Sequence, residues 1–358
     1  MIFFKIINRV RKIKFFSEKK ADVVLLDENL LNISSKKIYF KILKFNEFNI
    51  SVFLRTVKNL LSSNENISFK NLYFKNLLEQ INPKVIIGHN LNQRVFLAKK
   101  ILPSAITICY QFGFLNKKNI KRVYKKKYLK NILCDYFLVF HNQDKFLLKK
   151  YFKSNFIVAG SVRNNAYIKK KKNKKNYLHY ISQYNPKRPR NDKHHFYQSF
   201  LLNILKNYCK KKNMNLVISP RSNRIDKPLL KIDEEQAYFS DMIGNNFKFS
   251  YMSPYKFSNQ CKLNVTLHSN LGFELLGKGE KVFFFQPGKK KYSYPYKLNK
   301  HNYHYYNKMN KKVIENKINI LINLKNKKWL NYINKIDKIN YDENNKFLMK
   351  IIKKKILH

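Results

Sequence analysis

Short apolar segments alternate with helical segments along most of this 358-residue chain. The first apolar segment, residues 23–26, ends in acidic residues, and residues 85–87, the stretch AITICYQFG and residues 156–159 follow at helix-length intervals. Strands that are apolar throughout and separated by helices are typical of a parallel sheet covered by helices on both faces. The sequence therefore predicts an α/β fold.

One segment interrupts this alternation and divides the chain. Residues 169–195 combine a lysine run with two prolines, a composition typical of a linker or mobile loop. We predict two Rossmann-like doubly wound domains, over residues 1–165 and 196–330, joined by a linker over residues 166–195. Residues 331–358 are predicted to form C-terminal helices that cross back and pack on the N-terminal domain.

The strong positive charge suggests a polyanionic partner, but this inference is weaker than the charge alone indicates. The chain carries 74 Lys+Arg and 21 Asp+Glu, a formal net charge of +53, which favours a polyanion such as nucleic acid or an anionic membrane. Lysine is, however, enriched together with asparagine, isoleucine, phenylalanine and tyrosine, which all have A/T-rich codons, so genomic base composition explains much of the excess. The sequence has no helix-turn-helix, zinc-finger or RNP signature, and nucleic acid is not the expected partner.

The N-terminal residues allow a membrane-surface interpretation. In MIFFKIINRVRKIKFF, one helical face would carry Phe3, Ile6, Ile7, Val10 and Ile13. Such a basic amphipathic helix can lie on an anionic leaflet, and the alternative is an ordinary surface helix docked on the domain. No run of 18 apolar residues occurs, and four widely spaced cysteines indicate free thiols in a reducing compartment. We expect a cytoplasmic protein, located peripherally at the inner face of the plasma membrane.

The stretch LHSNLGFELLGKGEKVFFF predicts a strand, a turn, a helix of about two turns and a second strand. Ser269 or Asn270 is a suitable N-cap, and Gly272 in the first turn would let a ligand approach the backbone. A helix N-terminus binds phosphate oxygens, and Glu274, one turn beyond Asn270, could accept the hydroxyls of a ribose. The alternative is an ordinary strand–helix–strand unit with a capped helix.

The wider pattern resembles known transferases. The motifs ICYQFGF, CDYFLVF, FIVAGSVRNN, LVISPRSN and SNLGFELLGKGEKVFFF, over about residues 80–290, are similar in order and spacing to those of the surface carbohydrate biosynthesis family. The two-domain plan resembles GT-B glycosyltransferases. The resemblance implies an acceptor-side N-terminal domain, a C-terminal domain that binds a nucleotide-activated sugar donor, and no cofactor besides that substrate.

The resemblance also implies a donor site in the C-terminal domain. It implies that the donor nucleotide binds to residues of one turn and the helix that follows, namely His268, Ser269, Asn270, Gly272 and Glu274. Arg221 stands where related enzymes have a basic strand-end motif, but the local sequence SPRS lacks the usual histidine. Its guanidinium could bind a diphosphate and stabilise the leaving group, or could form a surface salt bridge.

A further group implied by the resemblance comes from the motif GSVRNN. Ser161, Arg163 and Asn164 would line the donor cleft where the linker begins. The alternative is that these residues only end a strand.

The catalytic candidates lie at strand ends of the N-terminal domain. Asp27, Glu28 and His89 each follow an apolar strand, where open α/β sheets bind ligands, and an inverting transferase needs a general base. A single histidine at such a turn is more often a hydrogen-bonded structural residue. No DxD pair stands beside a nucleotide motif, so the sequence does not require a metal.

The sequence thus predicts a transferase that passes a sugar to a surface polysaccharide or lipid-linked glycan acceptor. A CDP-linked glycerophosphate or polyol-phosphate transferase of the same fold, a nucleic-acid-binding protein and a non-catalytic relative are the alternatives.

Overall fold

The chain forms two compact units that both have an α/β architecture. In this computed structural model the described residues are 12–27, 30, 37–43, 47–62, 67–115, 120, 132–168, 174–187, 189, 191–221, 232–288, 295–296 and 302–357. Unit 1 comprises Met1–Ala166 together with Asp342–His358, and unit 2 comprises Tyr167–Tyr341. The return of the last segment to unit 1 agrees with the predicted crossing back, although residues 331–341 belong to unit 2.

Fourteen strands lie in the described ranges. In chain order they are β1 Lys12–Lys14, β2 Val23–Leu25, β3 Phe40–Ile42, β4 Glu47–Asn49, β5 Val85–His89, β6 Ile106–Tyr110, β7 Ile132–Val139, β8 Phe152–Val158, β9 Lys175–Ile181, β10 Asn215–Ser219, β11 Lys248–Phe249, β12 Cys261–Thr266, β13 Val282–Phe285 and β14 Tyr305–Tyr306. Two six-stranded parallel sheets, in the orders β3-β2-β5-β6-β7-β8 and β11-β10-β9-β12-β13-β14, form the centres of units 1 and 2.

Twelve α-helices accompany these strands in the same described ranges. They are α1 Ile50–Ser62, α2 Phe69–Ile81, α3 Arg94–Ile101, α4 Asn142–Leu148, α5 Val162–Asn165, α6 Lys193–Lys211, α7 Ile232–Ile243, α8 Pro254–Phe257, α9 Asn270–Gly277, α10 Lys311–Asn323, α11 Asn326–Ile333 and α12 Lys346–Leu357. The predicted pair of Rossmann-like units is therefore confirmed.

The sheet of unit 1 is buried on both faces, which explains its continuous apolar strands. Val24 and Ile86 belong to the hydrophobic cluster on one face, whereas Val23 and Val85 belong to the cluster on the other face. Successive side chains of a strand point to opposite faces, so both faces need apolar residues when helices cover each. On the second face Leu348 of α12 joins the core, so the C-terminal helix completes the unit.

The predicted linker over residues 166–195 is wrong in its central part. Residues 175–181 form β9, which pairs with β10 on one side and β12 on the other. His179 in this strand is fully buried, and its Nδ1 and Nε2 lie 2.7 Å from Asn264 Oδ1 and 2.7 Å from Ser219 Oγ. These cross-strand hydrogen bonds satisfy the buried His179 side chain. In the sequence, the same polar residue makes the segment resemble a connector.

The predicted N-terminal helix is only partly within the described residues. Phe3, Ile6, Ile7 and Val10 lie outside them. Ile13 lies in β1, a short strand that pairs in parallel with β4, so the helix does not extend to this position.

Two simpler expectations concern the cysteines and the membrane. Cys109, Cys134, Cys209 and Cys261 are all free and buried, as predicted. No helix among the described residues combines the length and apolarity that crossing a bilayer requires.

Candidate functional site

Each sheet has one position where the chain reverses its direction of winding. In unit 1 the chain passes from β2 to β3 on one side and later adds β5 on the other. In unit 2 it passes from β9 to β10 and β11, and then adds β12 on the opposite side of β9. At such topological switch points the loops after neighbouring strands diverge, and open α/β sheets bind their ligands there. Candidate residues from the sequence fall at both positions.

The switch point of unit 1 brings two predicted residues together. Asp27 follows β2 and His89 ends β5, and His89 Nε2 lies 4.0 Å from Asp27 Oδ2. The same Asp27 oxygen accepts a hydrogen bond from the hydroxyl of Tyr110, which ends β6. Burial raises the pKa of Tyr110, so its hydroxyl stays protonated and remains a donor. Glu28, the third catalytic candidate, lies outside the described residues.

The surroundings of His89 determine which of its nitrogens carries a proton. Burial lowers the pKa of His89; the Asp27 carboxylate opposes this shift and the Arg163 guanidinium adds to it. His89 is therefore neutral at pH 7, and its Nδ1 accepts a hydrogen bond of 3.1 Å from the backbone N–H of Leu91. The hydrogen is consequently on Nε2, which faces Asp27. This arrangement favours Asp27 over His89 as the proton acceptor.

The residues of the motif GSVRNN lie in unit 1 and serve mainly its structure. Ser161 is the N-cap of α5, where its Oγ accepts from Asn164 N at 3.4 Å. Asn164 is fully buried, which favours the strand-ending interpretation over contact with a donor. Arg163 differs, because its guanidinium stacks over the Phe112 ring at 4.2 Å and also affects the charge of His89.

The switch point of unit 2 is formed by the turns that follow β9 and β12. The backbone N–H of His268 donates to Gln183 Oε1 at 3.0 Å, and the N–H of Ser269 donates to Thr266 Oγ1 at 3.3 Å. Ser269 is the N-cap of α9, as predicted, with φ −67° and ψ 136° and no capping hydrogen bond from its side chain. The Gly272 N–H donates to the Ser269 carbonyl oxygen at 3.0 Å. The first N–H groups of an α-helix lack i−4 partners and can bind an anion.

Gly272 has a packing role that the sequence interpretation did not foresee. A Cβ at this position would lie 2.7 Å from Thr266 Cγ2 and 2.9 Å from Phe284 Cε1. These atoms belong to β12 and β13, so the glycine lets α9 lie close to the sheet. On the side where a Cβ would lie, the space is filled by the protein itself, and the approach of a ligand to the Gly272 backbone stays a prediction.

Glu274 is placed one turn into α9 but is not open to solvent. Its side chain is fully buried, and its Oε2 accepts a hydrogen bond from the hydroxyl of Tyr255. The Tyr255 ring stacks on Tyr167 with centroids 4.9 Å apart and an interplanar angle of 10°. A ribose can therefore reach this carboxylate oxygen only if the Tyr255 side chain moves.

Arg221 follows β10 and is held by groups near β9. Its backbone N–H donates to Glu235 Oε1 at 2.9 Å, and its Nη1 donates to the carbonyl oxygen of Tyr184 at 3.0 Å. Glu235 is fully buried and also accepts from the Ser182 hydroxyl. The carboxylate thus joins the turns after two adjacent strands and positions Arg221 at the carboxyl edge of the sheet.

Sequence reasoning missed four residues that shape the unit 2 site. They are Ser182, Gln183, Glu235 and Tyr255. The first two lie in the supposed linker, and Glu235 belongs to an acidic first turn of α7, DEEQ, that reads as a solvated helix start. A strand interpretation of residues 175–181 would have placed Ser182 and Gln183 at a strand end, but nothing local marks Tyr255. Among the described residues, no group of three or more His, Cys, Asp or Glu side chains could hold a metal ion.

Comparison with known proteins gives a family and a fold. A family model described as "putative O-antigen biosynthesis protein" matches residues 108–356. A comparison with curated proteins gave no match.

Several solved structures share the architecture at low sequence identity. UDP-GlcNAc 2-epimerase from Neisseria meningitidis bound to UDP-GlcNAc has a TM-score of 0.55 and 11% identity over 96% of this chain and 100% of that chain. The Methanocaldococcus jannaschii UDP-GlcNAc 2-epimerase in complex with UDP-GlcNAc and UDP has a TM-score of 0.51 and 11% identity over 96% and 100% of the two chains. A glycosyltransferase from Rickettsia africae has a TM-score of 0.47 and 9% identity over 95% and 99%. The epimerase matches support the GT-B-like fold predicted from the sequence.

Proposed function

This chain belongs to the family of O-antigen biosynthesis proteins, and we propose that it is a glycosyltransferase that uses a nucleotide-activated sugar. The sugar would pass to a surface polysaccharide or lipid-linked glycan. One observation carries the proposal. In unit 2, the turns after β9, β10 and β12 converge through hydrogen bonds at the switch point beside the N-terminus of α9.

The donor would bind through groups of unit 2 that suit a nucleoside diphosphate. The N–H groups at the start of α9 and the guanidinium of Arg221 are donors for phosphate oxygens. Glu274 is an acceptor for ribose hydroxyls. The two epimerase structures described above contain UDP-GlcNAc or UDP, which makes uridine the first base to test.

Unit 1 would supply the acid–base chemistry. In an inverting transfer the acceptor hydroxyl attacks the anomeric carbon, its proton passes to a base, and the nucleoside diphosphate departs with the bonding electron pair. Asp27 is the proposed base because Tyr110 donates to it and the Nε2–H of neutral His89 faces it.

The decisive experiment measures nucleotide binding by thermal shift and calorimetry. The purified chain is tested with UDP, UDP-GlcNAc, GDP, CMP and CDP-glycerol, and then as Glu274→Gln and as the matched control Glu234→Gln, an exposed acid in the same unit. One nucleotide is expected to bind, with an affinity that Glu274→Gln lowers at least tenfold because a charged acceptor is lost. Indifference to all five compounds, with the chain folded, would contradict the proposal.

A second candidate is conversion of the nucleotide sugar itself, favoured by the fold shared with 2-epimerases. Incubation without an acceptor separates the two reactions. An epimerase changes the configuration of the sugar under these conditions, whereas a transferase leaves the donor unchanged until a glycan acceptor is added. A phosphodiester in the product would instead identify the CDP-linked alternative.

The protein would bind an anionic membrane surface and encounter its glycan acceptor there. Three neighbouring side chains of unit 1, Ile13, Phe15 and Phe16, are 53%, 68% and 86% exposed, and they form what we call the Phe15 patch. Exposed lysines flank it at Lys12, Lys19 and Lys20. Aromatic side chains beside basic ones favour the interface of an anionic bilayer.

Vesicle flotation tests this membrane proposal. The wild-type chain is expected to float with vesicles that contain anionic phosphatidylglycerol, and less with purely zwitterionic ones. Phe15→Ser with Phe16→Ser should abolish most of the binding at physiological salt, because the apolar contribution is lost. Leu54→Ser with Leu61→Ser, which removes two other exposed apolar residues of unit 1, is the matched control. Equal flotation of both double variants would contradict a role for the Phe15 patch.

A further inference from the structure

The contact between Tyr255 and Glu274 joins a surface aromatic residue to a buried acid. Tyr255 is half-buried and lies in the short helix α8, whereas Glu274 is fully buried. The hydroxyl of Tyr255 donates to Glu274 Oε2, and its ring stacks on Tyr167. The carbonyl oxygen of Tyr167 in turn accepts a hydrogen bond of 3.1 Å from the Tyr341 hydroxyl. The tyrosine thus has a defined place over the acid, where it stacks on Tyr167 and donates a hydrogen bond to Glu274.

A buried carboxylate needs hydrogen-bond donors, because an unsatisfied charge in the interior is costly. The Tyr255 hydroxyl supplies a donor of the same chemical type as a sugar hydroxyl. A ligand that brings a hydroxyl to Oε2 can therefore replace the tyrosine and leave the carboxylate equally satisfied. The exchange conserves the number of hydrogen bonds on Glu274.

The backbone around Tyr255 can stay in place during such an exchange. Phe257, at the end of α8, is buried in a hydrophobic cluster, and the Ser258 hydroxyl donates to the Tyr255 carbonyl oxygen at 3.1 Å. These contacts fix the main chain of α8. The movement required is a rotation of one side chain that is already partly in solvent.

We infer that Tyr255 is a latch on the nucleotide site, which holds Glu274 until a ligand with ribose hydroxyls displaces it. This inference rests on the proposed function and adds a determinant of specificity. Displacement lowers the affinity for every ligand that uses Glu274, but a ligand without those hydroxyls cannot open the latch. The latch thus weakens the binding of ribonucleotides and leaves that of deoxynucleotides unchanged, so it narrows the difference in affinity between the two.

The test compares UDP with 2′,3′-dideoxy-UDP on the wild-type chain and on Tyr255→Phe by calorimetry. Tyr255→Phe keeps the stacked ring but removes the competing hydroxyl, so UDP should bind about tenfold more tightly. Dideoxy-UDP should bind equally to both proteins, because it does not compete for Glu274. Tyr177→Phe, which alters another stacked tyrosine of unit 2, should leave both affinities unchanged.

The remaining outcomes test the role of Tyr255 and the proposed function separately. Equal UDP affinities of wild type and Tyr255→Phe, or equal tightening for both nucleotides, would overturn the latch and leave the proposed function intact. Absence of UDP binding to either folded protein would overturn the latch, and absence of binding for all five compounds of the nucleotide test would also overturn the proposed function. If Tyr255→Phe does not fold, Tyr167→Leu carries the test, since it retains the hydroxyl but removes the stacking that holds it. That variant should also bind UDP more tightly, and an unchanged affinity would overturn the latch.

Discussion

Trp329→Ala is expected to lower the free energy of unfolding of unit 2 by about 4 kcal/mol, the usual cost of truncating a buried tryptophan. Trp329 in α11 is only 1% exposed, and its Nε1–H donates to the carbonyl oxygen of Gly279 at 3.0 Å. The ring therefore connects α11 to the turn that ends α9 beside β13. Urea unfolding followed by far-UV circular dichroism measures the change, since the variant has no tryptophan left.

Trp329→Phe is the matched control. It retains most of the buried ring and loses the indole hydrogen bond, so a loss of about 1–2 kcal/mol is expected from the missing bond and the smaller volume. A loss below about 1 kcal/mol for Trp329→Ala would mean that the packing seen around α11 is not formed in solution.

Acidification from pH 7 to pH 5 is expected to lower the free energy of unfolding of unit 2 by about 4 kcal/mol, from two buried histidines. Burial lowers the pKa of His179 to about 4 and that of His304 to about 3, where the nearby Lys317 adds to the shift. Below pH 6.5 the unfolded chain binds a proton at each histidine, whereas the native unit binds none until its lower pKa is reached. The stabilisation is therefore present above pH 6.5 and is lost as the pH falls.

Urea unfolding at pH 7, 6 and 5, followed by Trp329 fluorescence, measures how the free energy of unfolding of unit 2 changes with pH. His304→Gln should reduce the pH dependence by about half, because one of two protons no longer contributes. His195→Gln, at a half-buried histidine of the same unit, should leave it nearly unchanged. A wild-type stability that stays constant from pH 7 to pH 5 would show that neither histidine is buried as described.

Most of the sheet could be predicted from local sequence. The strands around residues 23–26, 85–87, 106–110 and 282–285 are mostly apolar runs of three to five residues, and burial on both faces requires that composition. β9 was missed because His179 and Asn176 interrupt its apolar pattern and a lysine run precedes it. Its place at the centre of the sheet depends on Asn264 and Ser219, which are 85 and 40 residues away.

The site was predictable only in part, for a similar reason. Asp27 and His89 were identified because each follows a strand, and parallel strands bring their carboxyl ends to one edge. Ser269 was identified because N-caps have a narrow residue preference. No local rule indicates that Tyr255 covers Glu274, that Asn164 is fully buried, or that the space beside Gly272 is filled by Thr266 and Phe284.

The amino-acid sequence by itself determined the α/β class, the winding of two units and the strand ends that carry polar residues, because hydrophobic periodicity and capping act over a few neighbouring residues. The tertiary structure alone decided which polar groups are accessible. Accessibility depends on side chains that come from distant parts of the chain, as where the Tyr255 hydroxyl meets the Glu274 carboxylate or where Asn264 and Ser219 enclose His179.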